Sequence, residues 1–437
     1  MGIPVYFKTL ISQYQDDILV KTHLSGIQTL CLDLNCLIHP CCQRVAHKDE
    51  ISENAMMDEI VEGIETLVQY TGVSKTLYIA IDGVCPKAKM KQQRERRHKS
   101  VFQDKPWDTN AISPGTYFMN RLNDVLKTWT SENSSSLTIV LNDSTIPGEG
   151  EHKLLEYLRG NADPGKTVIY GLDADLIMLG LVSGLRDLYL LRERTAYNIE
   201  DTESPYIYLK IQELSEYIAK DINICSKISP DVIINDYVFL CFLLGNDFIN
   251  HSPSLSLRYG GLETLLTIYR NLQERYQGYY RLIDTRISTC IHLPFFKELL
   301  GELAKTEDRR LQTIKRSREK QRHRLMREYG SLYNTLKPQI TDSRIKHSQM
   351  ETFAKDTKDP EIARKMFENL PILCESAQSS RKSAHSSGKS GKEERELSED
   401  FLDSLVWTAI YYFKGCEDWR WCTNYSEGPT MRDFAQY

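Results

Sequence analysis

The sequence predicts an α/β fold in which a mostly parallel central sheet is flanked by helices and followed by a helical C-terminal extension. Three observations predict it: apolar runs alternate with helical periodicity over residues 1–250, acidic residues stand at the ends of those runs, and the strand pattern stops near residue 266. Alternating strand and helix patterns bury their apolar faces by laying helices on a parallel sheet. In chain order, "TLCLDLNCLI" (29–38), "TLYIAID" (76–82), "LTIVLND" (137–143), "TVIYGLDADLIML" (167–179) and "DLYLLR" (187–192) read as buried strands, being short continuous apolar runs. The longer segments between them repeat apolar residues every three or four positions and read as helices. Ligands of such sheets bind beyond the carboxyl ends of the strands, where Asp33, Asp82, Asp173 and Asp175 stand.

Residues 1–265 therefore form the expected α/β domain, and 266–375 read as a helical, charge-rich region. Within the latter, "RRLQTIKRSREKQRHRLMREYGSL" predicts one long solvated helix, its nine basic residues from Arg309 to Arg327 facing water. Residues 376–400, "SAQSSRKSAHSSGKSGKEERELSED", carry almost no apolar content and predict a flexible linker. An aromatic-rich segment, 401–437, returns to order.

With 41% apolar residues and a net charge of −5 over 437 residues, the chain reads as globular, and any nucleic-acid binding has to come from a local patch. No apolar run approaches the roughly 18 residues of a membrane span, and "MGIPVYFKTL" lacks a signal-peptide layout. Tyr6 stands where a myristoylation signal wants Ser or Thr. Eleven cysteines without a C-x-x-C pair argue against a zinc knuckle and for reduced thiols. The expectation is a cytoplasmic protein, with the nucleus as the open alternative. Cys36, Cys41 and Cys42, close to His39 in the chain, read as buried small residues.

The chemistry lies in the acids. Glu149 and Glu151 follow Pro147-Gly148, and in such a turning entry alternate side chains point the same way. Asp173 and Asp175 repeat that spacing, and Asp247 adds another acid in "LLGNDF". Asp33, Asp82, Glu149, Glu151, Asp173, Asp175 and Asp247 brought together would repel one another unless cations neutralise them. Hard oxygen donors favour Mg²⁺ or Mn²⁺ over Zn²⁺. Two such ions roughly 4 Å apart suit attack of water on a phosphodiester. The plainer reading, helix caps and strand-end solvation, accounts for any single member as well as a metal does, but not for Glu149–Glu151 and Asp173–Asp175 together. In "KMKQQRERRHKS" (89–100), Lys89, Gln93, Arg96 and Arg97 share one helical face and make a phosphate receptor beside those acids.

These residues lie in stretches that resemble the XRN-type 5′→3′ exoribonucleases. The stretches are "MGIPVYF" (1–7), "LDLNCLIH" (32–39), "AIDGVCPKAKMKQQRERR" (80–97), "SPGTYFM" (113–119), "IPGEGEHK" (146–153), "GLDADLIMLGL" (171–181) and "FLLGNDFINHSPSL" (242–255). A weaker match, "VWTAIYYFKGCEDWRW" (406–421), resembles the opening of the family's second conserved region. The resemblance implies a PIN/flap-nuclease-like core, the seven acids as catalytic ligands of two Mg²⁺ ions that Mn²⁺ can replace, and 401–437 packed on the active site. It further implies that Lys89, Gln93, Arg96 and Arg97 bind the 5′-monophosphate of single-stranded RNA. His39 and a tryptophan, Trp419 or the preferred Trp421, would then stack on the first base. Relatives carry long C-terminal domains or a zinc knuckle, whereas this chain shows neither. The expectation is a minimal catalytic core, such as a virus or a reduced genome would carry, with a protein partner in place of those domains. Two rivals remain open: a structure-specific flap DNA nuclease, and an inactive RNA-binding scaffold of the same fold. The contiguous "KAKMKQQRERR" speaks against the first, and the full set of seven acids against the second.

Overall fold

The computed structural model describes residues 6–47, 51–101, 106–161, 163–194, 204–223, 228–336, 360–373 and 391–437. Among these, one sheet is built from β1 (Leu19–Val20), β2 (Thr29–Asp33), β3 (Thr76–Ala80), β4 (Thr138–Asn142), β5 (Thr167–Tyr170), β6 (Leu188–Glu193) and β7 (Tyr206–Lys210). Its order is β1-β7-β6-β5-β2-β3-β4. The pairs from β6 through β4 are parallel, while β7 pairs antiparallel with β6 and with β1. From β2 the chain builds outward through β3 and β4, then returns to place β5 and β6 on the other side. That reversal beside β2 makes the switch point where open α/β sheets bind ligands.

Strand β2 is buried throughout, with Leu30 and Leu32 in one apolar cluster and Cys31 in the other. Burial on both faces is what removes the polar alternation from such strands. One face is covered by the helices Asn35–Ala46, Glu53–Thr71 and Tyr117–Asn133. The other meets Tyr6–Ile18, Gly150–Gly160, Asp175–Leu181, Ile211–Ile222 and Pro230–Phe242. This second cluster continues through Leu299 and Leu405 to Phe434, and the expected boundary at 265/266 falls inside the helix Gly261–Arg275, so it breaks neither a helix nor the core.

Two apolar runs differ from expectation. The run at 29–38 leaves the sheet at Asp33 and becomes helix from Asn35, and the run at 167–179 leaves at Tyr170 and is helical from Asp175. A buried strand and the buried start of a helix look alike by apolar content, so the runs read as longer strands than they form.

The predicted long helix spans Glu307–Leu336. Its far end departs from a solvated rod: Leu325, Tyr329 and Tyr333 pack with Ala363, Met366, Phe367 and Leu373 as a satellite core. Its near end is tied to the C-terminus, where the buried Glu307 carboxylate accepts the Met431 and Arg432 amides at 2.7 and 2.8 Å. The linker expectation also needs correction. Residues 376–390 lie outside the described residues, but 391–400 are the first turns of the Gly391–Phe413 helix. Its Leu397 and Phe401 are buried, and this apolar spacing outweighs the polar composition that suggested a linker.

Candidate active site

Each acid is delivered by a backbone element. Asp33 is the last residue of β2, and Asp82 lies just past β3. Glu149 is the N-cap residue of the Gly150–Gly160 helix, yet its side chain makes no capping bond. Asp82 serves that helix instead, accepting the Gly150 amide at 2.6 Å. Asn35 orients Asp82 from the other side: its amide donates to Asp82 Oδ2, and its oxygen accepts the Asp82 backbone N–H, both at 3.1 Å. Gly150 separates the two glutamates for a steric reason. A Cβ there would lie 2.9 Å from Asp33 Oδ1 and 3.4 Å from Asp82 Oδ1. Gly83 is similarly required, since a Cβ would lie 1.9 Å from the Ile146 carbonyl oxygen where the loops after β3 and β4 cross.

All seven predicted acids converge. Asp33 is repelled by Asp82, Asp173 and Glu149; Glu151 by Asp175, Glu149 and Asp173; and Asp175 by Asp247. Burial, then these neighbours, pushes Asp33 up to about 8, Asp175 up to about 6, and Glu151 well above the usual range. Glu149 and Asp247 go the other way. Burial opposes ionisation of both, but Lys89 holds them down: its ammonium lies 2.7 Å from Glu149 Oε1 and 2.7 Å from Asp247 Oδ2. Lys89 is only 6% exposed.

The basic helix Lys87–Val101 forms as expected, and the side chains that meet the acids differ in part from the predicted phosphate face. Lys89, Gln92 and Arg96 meet the acids: Gln92 donates to Asp247 Oδ1, and Arg96 lies 3.7 Å from Asp247 Oδ2. Gln93 instead accepts a bond from Arg97 at 3.2 Å, farther along the exposed surface. His39 is exposed on the Asn35–Ala46 helix. The two tryptophans differ. Trp421 stacks on Trp407 at 5.2 Å and 20°, whereas Trp419 is 40% exposed and its carbonyl accepts the Lys87 amide at 3.0 Å.

Sequence reasoning did not assign several residues that shape the site. Tyr411, from the 391–413 helix, donates its hydroxyl to Glu149 Oε2 at 2.9 Å. His152 stacks on Tyr411 at 3.7 Å, and its ligand nitrogen lies within 4.8 Å of ligand oxygens of Glu149 and Glu151. Burial pushes its imidazole down to about 3, leaving it neutral at physiological pH. Lys153 donates to the Ile81 and Asp143 carbonyls at 2.7 and 3.0 Å, joining the ends of β3 and β4. Arg192 donates to the Leu172 and Asp173 carbonyls and lies 4.3 Å from the Phe7 ring, pinning the loop after β5. The local signal for His152 is its place directly after Glu151 in "GEGEHK", whereas the contacts of Tyr411, Lys153 and Arg192 come from the fold.

Such a cluster is a hard-oxygen donor set with too few internal cations, suited to divalent ions. A carboxyl whose pKa rises on folding keeps a proton that the unfolded chain has released, so its stability contribution is present at low pH and lost as pH rises through the folded value. Without divalent ions, thermal stability is expected to fall as pH rises from about 4, through Asp175 near 6 and Asp33 near 8. Mg²⁺ should flatten this slope. Buried Asp236, bonded to Tyr269 and the Leu282 and Ile283 amides and pushed by burial to about 7, should leave a residual part. Melting curves across that range in EDTA and in Mg²⁺ provide the check, and identical slopes would count against a cation site.

The model of the XRN 5'-3' exonuclease N-terminus matches residues 1–106 and 100–194, and that of the Xrn1 helical domain matches 227–397 and 379–437. The 5'-3' exoribonuclease 2 of Yarrowia lipolytica is 27% identical over 571 aligned residues, covering 94% of this chain and 56% of that protein. That of Emericella nidulans is 32% identical over 410, covering 70% and 39%. The Drosophila melanogaster homolog of 5'-3' exoribonuclease 2 is 26% identical over 563, covering 100% and 61%. The chain thus spans less than two thirds of the length of these relatives. Among solved structures, the catalytic core of Rad2 in complex with DNA substrate aligns with a TM-score of 0.39 and 15% identity, over 69% of this chain and 80% of that one. No described helix is long and apolar enough to cross a membrane. Two models of one family, matched in chain order over most of residues 1–437, place this chain in the XRN 5′-3′ exonuclease family.

Proposed function

We propose that this chain is a metal-dependent 5′→3′ exoribonuclease that hydrolyses single-stranded RNA bearing a 5′-monophosphate and releases nucleoside 5′-monophosphates. The observation that carries the reading is the convergence of seven carboxylates from five chain segments at the switch point, with a basic helix laid against them. Asp33, Asp82, Glu149, Glu151, Asp173, Asp175 and Asp247 fit two divalent ions, Mg²⁺ or Mn²⁺, because their donors are oxygens and their mutual repulsion calls for positive charge. When bound, such a pair supplies the Lewis acidity for in-line attack of water on a phosphodiester.

The chain's own residues select and hold the substrate. Lys89 and Arg96 bring positive charge to Asp247 at the edge of the cluster, and Gln93 and Arg97 extend the donors one turn outward. A terminal phosphate bound there finds charged hydrogen-bond donors, and a cap or triphosphate adds bulk and charge that they do not accommodate. Trp419 is the ring we assign to stacking on the first base, because Trp421 is already stacked on Trp407. His39 offers a second exposed ring. Base stacking worth roughly 1–3 kcal/mol is indifferent to sequence, as RNA decay requires. Nine free cysteines among the described residues fit a reducing, cytoplasmic setting.

The test is one RNA labelled at its 3′ end and prepared with a 5′-monophosphate, a 5′-hydroxyl or a 5′-triphosphate, alongside a DNA flap. Loss of the monophosphate RNA alone, with mononucleotides released in Mg²⁺, is the expected result. Equal cleavage of the three RNAs would remove the phosphate pocket from the mechanism, and preference for the flap would replace the substrate class.

A further inference from the structure

We propose that Tyr411 is a positioning residue of the acidic site, holding Glu149 by its hydroxyl and His152 by its ring so that these donors face one cation. The inference rests on the reading of the cluster as a divalent-ion site. It adds a role for a residue that lies 262 positions from the glutamate it contacts.

The geometry is specific to the hydroxyl. Tyr411 is 2% exposed, and its OH donates to Glu149 Oε2 at 2.9 Å while Lys89 takes Oε1 at 2.7 Å. Both oxygens of the carboxylate are thereby oriented, one by an ammonium shared with Asp247 and one by a phenol fixed in a packed helix. The Tyr411 ring lies 3.7 Å from His152 at 21°, and also stacks on Trp407 at 4.9 Å, one turn earlier in its own helix. Phe248, next to Asp247, meets the same ring edge-on at 5.4 Å. His152 Nε2 is buried with no hydrogen-bond partner among the described residues, so the ring's orientation is set by stacking on Tyr411 and by the Tyr412 edge at 5.7 Å. Packing alone would be satisfied by Phe. The buried phenol spends its hydrogen bond on a carboxylate of the site, and such outer partners orient ligands and are worth about 10- to 100-fold in metal affinity or activity.

Tyr411→Phe in the full chain removes one oxygen and keeps the stack. Mn²⁺ affinity measured by calorimetry without RNA should fall about 10-fold. The Mg²⁺ concentration for half-maximal hydrolysis of 5′-phosphorylated RNA should rise similarly, with KM for RNA unchanged and the rate recovering in excess Mg²⁺. A merely structural role would not give that recovery. In a Glu149→Gln background the same substitution should change Mn²⁺ affinity less than twofold, since the interaction it removes runs through that carboxylate. Wild-type Mn²⁺ affinity in Tyr411→Phe would overturn the assignment while leaving the metal site intact. A wild-type protein that binds no Mn²⁺ would overturn both, and a loss of equal size in both backgrounds would reduce Tyr411 to a packing residue.

Discussion

Asp175→Asn is expected to lower hydrolysis of 5′-phosphorylated RNA by about 1000-fold or more, roughly 4 kcal/mol of barrier, and at the same time to raise the melting temperature of the metal-free protein near pH 8. Both effects come from one feature. Asp175 is 2% exposed, opens the Asp175–Leu181 helix and is repelled by Asp247 and Asp173. On the proposed mechanism its charge is a cation ligand; without cations the same charge works against folding. Asn keeps the shape and removes the charge. Single-turnover assays and melts in EDTA check the two halves, and a variant that retained a tenth of the rate, or melted lower in EDTA, would contradict this account.

Lys89→Met should act in the opposite sense on the metal-free protein. It strips Glu149 and Asp247 of the ammonium that lies 2.7 Å from each, at a site where the lysine side chain is 8% exposed. Leaving buried charge without its partner typically costs about 3–5 kcal/mol. Mg²⁺ should therefore stabilise this variant more than the wild type, while RNA hydrolysis is expected to fall, since the proposed phosphate site would lose its innermost cation. Denaturant unfolding with and without Mg²⁺ measures the difference. Equal Mg²⁺ stabilisation of both proteins would show that Lys89 and the ions do not answer the same charge.

These two residues also show what a linear reading reaches. Asp175 was legible because helix and strand ends near a parallel sheet's carboxyl edge deliver their side chains to one place. Lys89 was legible as a cation near the acids, but its depth was not, since a basic run reads as a solvated face. The phosphate face was read as Lys89, Gln93, Arg96 and Arg97, and the structure adds Gln92, which meets Asp247 while Gln93 pairs with Arg97. Periodicity defines which residues share a face, while the phase of that face is chosen by what the helix packs against. The same limit applies to Trp419 and Trp421, two residues apart, of which packing on Trp407 leaves Trp419 exposed.

By itself the sequence determined the α/β class, the seven acids and the basic helix beside them, because short-range pattern and strand-end position suffice to place those groups. Only the tertiary structure decided how that charge is held. Asn35 and the Gly150 amide orient Asp82, Lys89 bridges Glu149 and Asp247, and Tyr411 reaches Glu149 from a helix 262 residues away. Such partners are chosen by what the folded core brings within hydrogen-bond distance, and separation along the chain carries no trace of it.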